Sequence, residues 1–421
     1  MDQERSRRLD LQVGNEIVVE LEYVPLVSEE LIHFGVTVDG EPDRNQRLGL
    51  GRLRLKGLAV EDTAATTDPG AGVGDDARGH WKKALGAILA GDGPEPTNLD
   101  VCLAAMRSWF AGKYGGFVPA FGKNRGLQDV EGLPYISGGG VSKVPTLPRT
   151  PPPAIGRVGS PDGAGVRVGL ADTPIFANAQ LEGRYDKDVA TFVPEGVVKP
   201  ASGHATFIAG LVLQRAPGAF LVVRPALGTD AHGTSWDVAT SLMAFLDEKN
   251  RVDVLPLALG TYTMDGRPPL VLTRAMERLT SRTVVVAAAG NHGKEPFSGP
   301  PGQLTSRTVT HPASEPRVCA VAAADADGKL AEFSPPDLPW FQLKARGVDV
   351  SSLYLDARVQ IDADQEPERF EGFASWSGSS FAVATVAGEI ARRTVPGRVT
   401  AREALDQILA HGADGIWRAR D

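Results

Sequence analysis

From residue 166 onward, five short runs are almost wholly apolar: "VRVGLAD" (166–172), "AFLVVRPAL" (219–227), "VDVLPLALG" (252–260), "TVVVAAAGN" (283–291) and "RVCAVAAAD" (317–325). A strand with one solvated face alternates apolar and polar residues, whereas a run apolar at nearly every position reads as a strand covered on both faces. Helical stretches lie between the runs, among them "SWDVATSLMAFLDEKN" (235–250) and "LVLTRAMERLTSR" (270–282). Strand and helix in alternation imply a mostly parallel sheet wrapped by helices. Such sheets gather their functional groups beyond the carboxyl ends of the strands. Asp172 and Asn291 each close one of these runs.

The first third of the chain is built differently. "EIVVELEYV" (16–24) and "RLGLGRLRLKGLAV" (47–60) alternate like strands, while "DDARGHWKKALGAILA" (75–90) and "NLDVCLAAMRSWFAGKYG" (98–115) have helical spacing. These make a small α+β domain over residues 1–135. A stretch dense in Gly, Pro and Ser, "ISGGGVSKVPTLPRTPPPAIGRVGSPDGAG", has no periodic apolar face and reads as a linker over 136–164. The α/β domain then occupies 165–421. "GAGVGDD" (70–76) has the look of a phosphate loop, but "TAATTDP" precedes it where a strand is required, so it reads as a surface loop.

Composition excludes several classes. With 421 residues, 42% of them hydrophobic, the chain has enough apolar material for a large core. A formal net charge of -8 and the lack of any Lys/Arg run argue against nucleic acid as a partner. No stretch approaches the roughly 18 apolar residues needed to cross a bilayer. The charged N-terminus lacks the apolar core of about 7–15 residues that a secretory signal needs, so a cytoplasmic location is expected. Cys102 and Cys319 are far apart and outside any CxxC or Cys/His cluster, so neither a disulfide framework nor a metal site is expected. Cys319 reads as a buried strand residue.

The chemistry rests on a few polar residues. "FASWSGSSFAVATVAGEIA" (373–391) runs from Gly378 and two serines into a helix of small residues. Close packing accounts for the small residues but not for a particular serine. Ser380 at a helix N-terminus would face free backbone N–H groups and the positive end of the helix dipole, which favour developing negative charge. His204, in "SGHATFIAGLV", opens a second small-residue helix. Taken singly, Asp172 reads equally as a strand-end cap, His204 as a packed residue and Asn291 as a turn former. Together they form a set: an acid after a strand, a histidine and a serine each opening a helix, and an amide beside a glycine.

In chain order this set resembles the subtilisin-like serine proteases, or subtilases, which run Asp, His, Ser. "GSSFAVATVAG" (378–388) is similar to the family's Gly-Thr-Ser-x-Ala-x-Pro-x-Val-Ala-Gly motif, and "GHATFIAG" (203–210) to its Gly-His-Gly-Thr-x-Val-Ala-Gly motif. "VVVAAAGN" (284–291) is similar to the oxyanion asparagine segment, and "HPASEPRVCAVAAADADGKLAEFS" (311–334) to the Pro-Ala to Phe-Ser stretch. The resemblance covers about 165–415 and leaves the first 150 residues unmatched. It implies a subtilisin-like fold and a serine endopeptidase that needs no cofactor and acts on protein or peptide substrates. In it, His204 takes the proton of Ser380, Asp172 orients His204, and Asn291 with the Ser380 N–H binds the oxyanion. It further implies a substrate pocket lined by Leu257, Ala258, Leu259, Gly260, Ala288, Ala289 and Gly290, with an uncharged, apolar preference. The chain departs from the pattern at Pro174, Ala205, Ser379 and Ala384. None of these removes a reacting group, but Pro174 fixes φ and deletes an N–H just after the acid. The alternative reading is a catalytically silent binding or regulatory protein on the same scaffold. The N-terminal domain is expected to be either a prosegment or a docking module for a partner protein.

Overall fold

The computed structural model describes residues 12–58, 73–91, 96–129, 144–148, 154–186, 188–263, 267–293, 305–336 and 338–419. Its N-terminal part contains strand β1 (Gln12–Glu20), helix α1 (Val24–Leu31), β2 (Leu50–Lys56), α2 (Asp75–Leu89), α3 (Asn98–Lys113) and β3 (Phe121–Asp129). The rest is laid out as β4 (Arg167–Leu170), α4 (His204–Arg215), β5 (Phe220–Val223), β6 (His232–Thr234), α5 (Ser235–Leu242), β7 (Val254–Leu257), β8 (Leu259–Tyr262) and α6 (Leu270–Leu279). It continues with β9 (Val284–Ala288), β10 (Thr310–His311), β11 (Cys319–Ala324), β12 (Leu343–Arg346), β13 (Val350–Val359) and β14 (Glu368–Trp376). Helices α7 (Ser379–Arg393) and α8 (Ala401–His411) precede β15 (Ile416–Arg418).

The main sheet has seven strands in the order β15-β12-β11-β9-β7-β4-β5, parallel except for β15 at the edge. Both of its faces are covered, which explains the unbroken apolar runs. On β9, Val284, Val286 and Ala288 face the cluster built with α4 and α7, while Val285 and Ala287 face the cluster built with α5 and α6. The small residues of α4 and α7 answer to close packing. A Cβ at Gly388 would lie 2.8 Å from Arg215 Cβ and from the Val212 carbonyl oxygen, and one at Gly210 would lie 2.2 Å from Ser352 Oγ. A larger residue at either point drives the histidine helix from its neighbours, at about 1–3 kcal/mol for an ordinary overpacking. Near the other end of α7, burial pushes the Glu389 carboxyl up, but hydrogen bonds from Arg392 and Arg393 outweigh it and hold the group below the usual carboxylate range.

The expected α+β character of the N-terminal region holds, and its packing shows how it meets the rest. Ile17 and Val19 of β1 face a cluster with Trp81 of α2 and Phe110 of α3. Val18 of β1, Leu50 of β2 and Leu127 of β3 face the opposite way, into the cluster of α5 and α6. Each such aliphatic side chain contributes about 1.5–3 kcal/mol when fully buried, so this face of the N-terminal sheet is stabilised by the α/β part. The sheet itself is shared, because β3 pairs antiparallel with β6 and with β8, and β8 with β10. Asn124 on β3 caps α5: its Oδ1 accepts from the Trp236 N–H at 3.0 Å and from Ser235 Oγ at 2.8 Å. Arg274 to Glu20 and Arg47 to Asp247, each 2.5 Å, add ion pairs across the same boundary.

Of the expected linker, residues 136–143 and 149–153 lie outside the described residues. Thr146 within it is paired, its N–H and carbonyl exchanging hydrogen bonds with Ser375 of β14 at 2.8 Å each. Of "GAGVGDD", the described residues Val73 and Gly74 lead directly into α2, with Asp75 and Asp76 in its first turn. Among the described residues no helix is long and apolar enough to cross a membrane, and no group of three or more His, Cys, Asp or Glu residues is placed to hold a metal ion.

Candidate active site

Asp172 stands two residues beyond β4 and is 1% exposed. Its backbone oxygen accepts from the N–H groups of Ala226 and Leu227, at 2.9 and 3.2 Å, which ties the turn to the segment after β5. The Thr173 N–H donates to Asp172 Oδ1 at 2.7 Å, and Thr173 Oγ1 accepts from the Ala205 N–H at 3.1 Å. The turn behind the acid is therefore held by Thr173, which precedes Pro174, so the missing proline N–H leaves these bonds intact.

His204 is the first residue of α4 and is equally buried. Its Nδ1 lies 2.8 Å from Asp172 Oδ1 and 3.0 Å from Oδ2. The ring is enclosed by Trp376 at 5.7 Å between centroids, edge-on, and by Phe381 at 5.8 Å. A carboxylate at Nδ1 favours the tautomer that carries its proton there, leaving Nε2 as the basic nitrogen.

Ser380 is the second residue of α7, whose small-residue body is buried from Ser379 to Ala391. Its Oγ donates to the Ala258 carbonyl oxygen at 3.0 Å. Asn291 lies three residues past β9, and its Oδ1 accepts from the Ser379 N–H at 2.8 Å. This turns its Nδ2 toward the start of α7, where a Cβ on Gly378 would stand 3.5 Å away. The four residues singled out in the sequence thus sit on the ends or starts of β4, α4, β9 and α7, with Asp172 against His204, Asn291 against the start of α7 and the His204 ring beside Phe381, the residue after Ser380.

The proposed substrate-lining residues divide between two faces. Leu257 and Leu259 pack with Val271 and Leu272 in the α5/α6 cluster, while Ala258 and Ala288 belong to the cluster of α4 and α7. Gly260 is in β8, opposite Gln128 of β3. Gly290 has φ of 115°, and a Cβ there would approach the His292 ring to 2.6 Å and Thr310 Oγ1 to 2.8 Å. Thr310 Oγ1 donates to the Ala289 carbonyl at 2.9 Å. Sequence reasoning passed over His292, Thr310 and the aromatic pair Trp376 and Phe381. The aromatic pair had a visible signal, because the two rings flank the serines within "WSGSSF". Cys319 opens β11, and burial pushes its thiol up to about 12, as it does that of Cys102. Neither is poised to react.

A parallel-rich α/β sheet, with a histidine opening one helix and a serine opening its neighbour, places the chain among folds of the subtilisin type. The chain belongs to the subtilase family, whose model matches residues 163–414. Among similar proteins are a thermostable alkaline protease of Halalkalibacterium halodurans, 28% identical over 235 residues, and subtilisin DY of Bacillus licheniformis, 31% identical over 206. Serine protease AprX of Bacillus subtilis is 26% identical over 293 residues. The alignments cover 54%, 46% and 62% of this chain, and 56%, 68% and 63% of those proteins. The chain therefore spans from just over half to about two thirds of their lengths. These relationships support a protease function and protein or peptide substrates.

Proposed function

We propose that the chain is a serine endopeptidase in which Asp172, His204 and Ser380 act as a triad and Asn291 helps to bind the oxyanion. The observation that carries this reading is the buried contact between His204 Nδ1 and the Asp172 carboxylate. It supports an imidazole held with a proton on Nδ1, whose Nε2 takes the Ser380 proton during attack on the substrate carbonyl and returns it to the leaving amine, the carboxylate stabilising the cation formed in between. The carbonyl carbon is then held on Ser380 Oγ as an ester until water displaces it. The test is labelling of the full chain by a fluorophosphonate, which reacts with an activated serine. A single adduct on Ser380 is expected; a chain that takes up none is the catalytically silent binding protein instead.

Replacing Asn291 by alanine is expected to lower kcat by about 10²- to 10³-fold with little change in KM, a size carried over from subtilisin. The amide would meet the oxygen only as it becomes charged. A change confined to KM would instead mean binding of the ground-state carbonyl. Because Asn291 Oδ1 also holds the Ser379 N–H, the variant's thermal midpoint should be recorded beside its kinetics.

The N-terminal region reads best as a prosegment-like domain that covers the site in the intact chain. The pairing of Gln128 with Gly260 and of Asp129 with Leu259 supports this, since β3 lies along the strand proposed to receive substrate. Intact-mass analysis is expected to find wild-type protein cut within 134–148, with the two pieces still associated, and the Ser380→Ala protein whole. Most of that interval, 134–143, lies outside the described residues. A wild-type chain that stays whole yet labels with fluorophosphonate would make the N-terminal region a docking module.

A further inference from the structure

Where β1 ends against α6, the boundary between the N-terminal region and the α/β part encloses a cavity of about 400 Å³, within the range of small-molecule sites. From α6 it is lined by Arg274 and Arg278, which lie one helical turn apart on the same face. From the N-terminal region it is lined by Glu20, Leu21, Glu22 and Leu48. These last are fixed in place, since the Leu21 N–H donates to the Gly49 carbonyl at 2.9 Å and the Glu20 N–H to the Ala120 carbonyl at 3.0 Å. Leu21 and Leu48 make the lining apolar in part, and Leu48 is only 1% exposed.

The charges around this cavity divide into a pair that is satisfied and a pair that is not. Arg274 meets Glu20 at 2.5 Å and Glu277 at 3.3 Å, and the second oxygen of Glu20 accepts from the Ala120 N–H at 3.2 Å. That set is closed. Glu22 and Arg278 are both exposed, and among the described residues neither has an ion pair, although they line the same cavity. One carboxylate and one guanidinium thus stand beside an apolar wall without meeting each other. A ligand that carries both signs of charge on a compact aliphatic body answers all three features: its carboxylate fits the fork of Arg278, its ammonium group the Glu22 carboxylate, and its side chain Leu21 and Leu48. A phosphate would be opposed by Glu22, and a simple amine by Arg278.

We propose that this cavity is a binding site for a free aliphatic α-amino acid, held at its carboxylate by Arg278 and at its ammonium group by Glu22. Glu22 belongs to the N-terminal region and Arg278 to α6, so the bound amino acid fastens one to the other. Asp172, His204 and Ser380 do not line the cavity, and the inference is independent of their roles.

The test uses the full chain carrying Ser380→Ala, so that no self-cleavage alters the boundary, and titrates it with three probes by ligand-observed NMR. L-leucine carries both charges, leucinamide only the ammonium and N-acetyl-leucine only the carboxylate. Leucine is expected to saturate with a Kd of about 1 mM or tighter, the range open to so small a ligand. Each analogue should bind about tenfold or more weakly, the effect of losing one charged hydrogen-bonding group. In Arg278→Gln, leucine should fall to the level of leucinamide; in Glu22→Gln, it should fall to that of N-acetyl-leucine. Both side chains are exposed, so the fold is kept, and thermal midpoints recorded beside the titrations check this. Arg282→Gln, four residues beyond Arg278 and outside the cavity lining, should bind leucine as the parent chain does. The inference is overturned if leucine shows no saturable binding below about 10 mM, or if either analogue matches it. It is equally overturned if Arg278→Gln and Glu22→Gln leave leucine binding unchanged, or if Arg282→Gln lowers it as far.

Discussion

Ser380→Ala is expected to lower peptide hydrolysis by about 10³-fold or more, a size carried over from subtilisin, while the fold stays intact. Alanine keeps the helix, and the hydroxyl forgoes its bond to the Ala258 carbonyl, an ordinary contact of about 0.5–1.5 kcal/mol. A large loss of turnover beside a small loss of stability is therefore the signature of the nucleophile. His204→Ala should fall equally far, because a serine hydroxyl is too weak an acid to attack an amide without a base. Ser379→Ala is the control. If that variant loses activity while Ser380→Ala keeps it, the nucleophile is the neighbouring serine; if both stay active, hydrolysis does not depend on this helix.

For Asp172→Asn the expected fall is about 10⁴-fold, the size known for this exchange in a serine-protease triad. The asparagine keeps the shape and can still accept the Thr173 N–H, but an amide NH2 facing His204 Nδ1 favours the imidazole tautomer with its proton on Nε2. That nitrogen is then unable to take a proton from Ser380. Both carboxylate oxygens lie within 3.0 Å of Nδ1, and Asp172 and His204 are each 1% exposed, so solvent does not compensate for the lost charge. An Asp172→Asn protein with more than a tenth of wild-type turnover would mean that another carboxylate orients His204. Thermal midpoints of the two proteins, measured together, separate this effect from unfolding.

The α/β sheet was legible because burial on both faces leaves its mark in every residue of a strand. Val284 to Ala288 are apolar in sequence since alternate residues meet α4 and α7 on one side and α5 and α6 on the other. The helices that carry His204 and Ser380 were legible for a related reason: only small residues fit where α4 meets β13 and α7, and that crowding is written as Gly210 and Gly388. The place of β3 was not. "FGKNRGLQD" is polar, carries two glycines and has no alternation, and it is held by ladder bonds to β6 and β8 more than a hundred residues away. Such bonds run through the backbone and leave no pattern in the side chains. Thr146 is a still sharper case, one residue of a Pro-rich stretch whose pairing with Ser375 no local rule encodes. The boundary between the two parts suffered similarly, because β1 alternates for a reason not visible in its own sequence: one face meets its own helices and the other meets α5 and α6.

The most direct measurement is to incubate the purified full chain with an unstructured protein and identify every new peptide terminus by mass spectrometry. Wild type is expected to cut the substrate at internal bonds, with the same cuts absent from the Ser380→Ala digest. Internal cuts that persist in Ser380→Ala, or a substrate left whole by wild-type protein freed of its first 148 residues, would contradict the assignment of this chain as a serine endopeptidase.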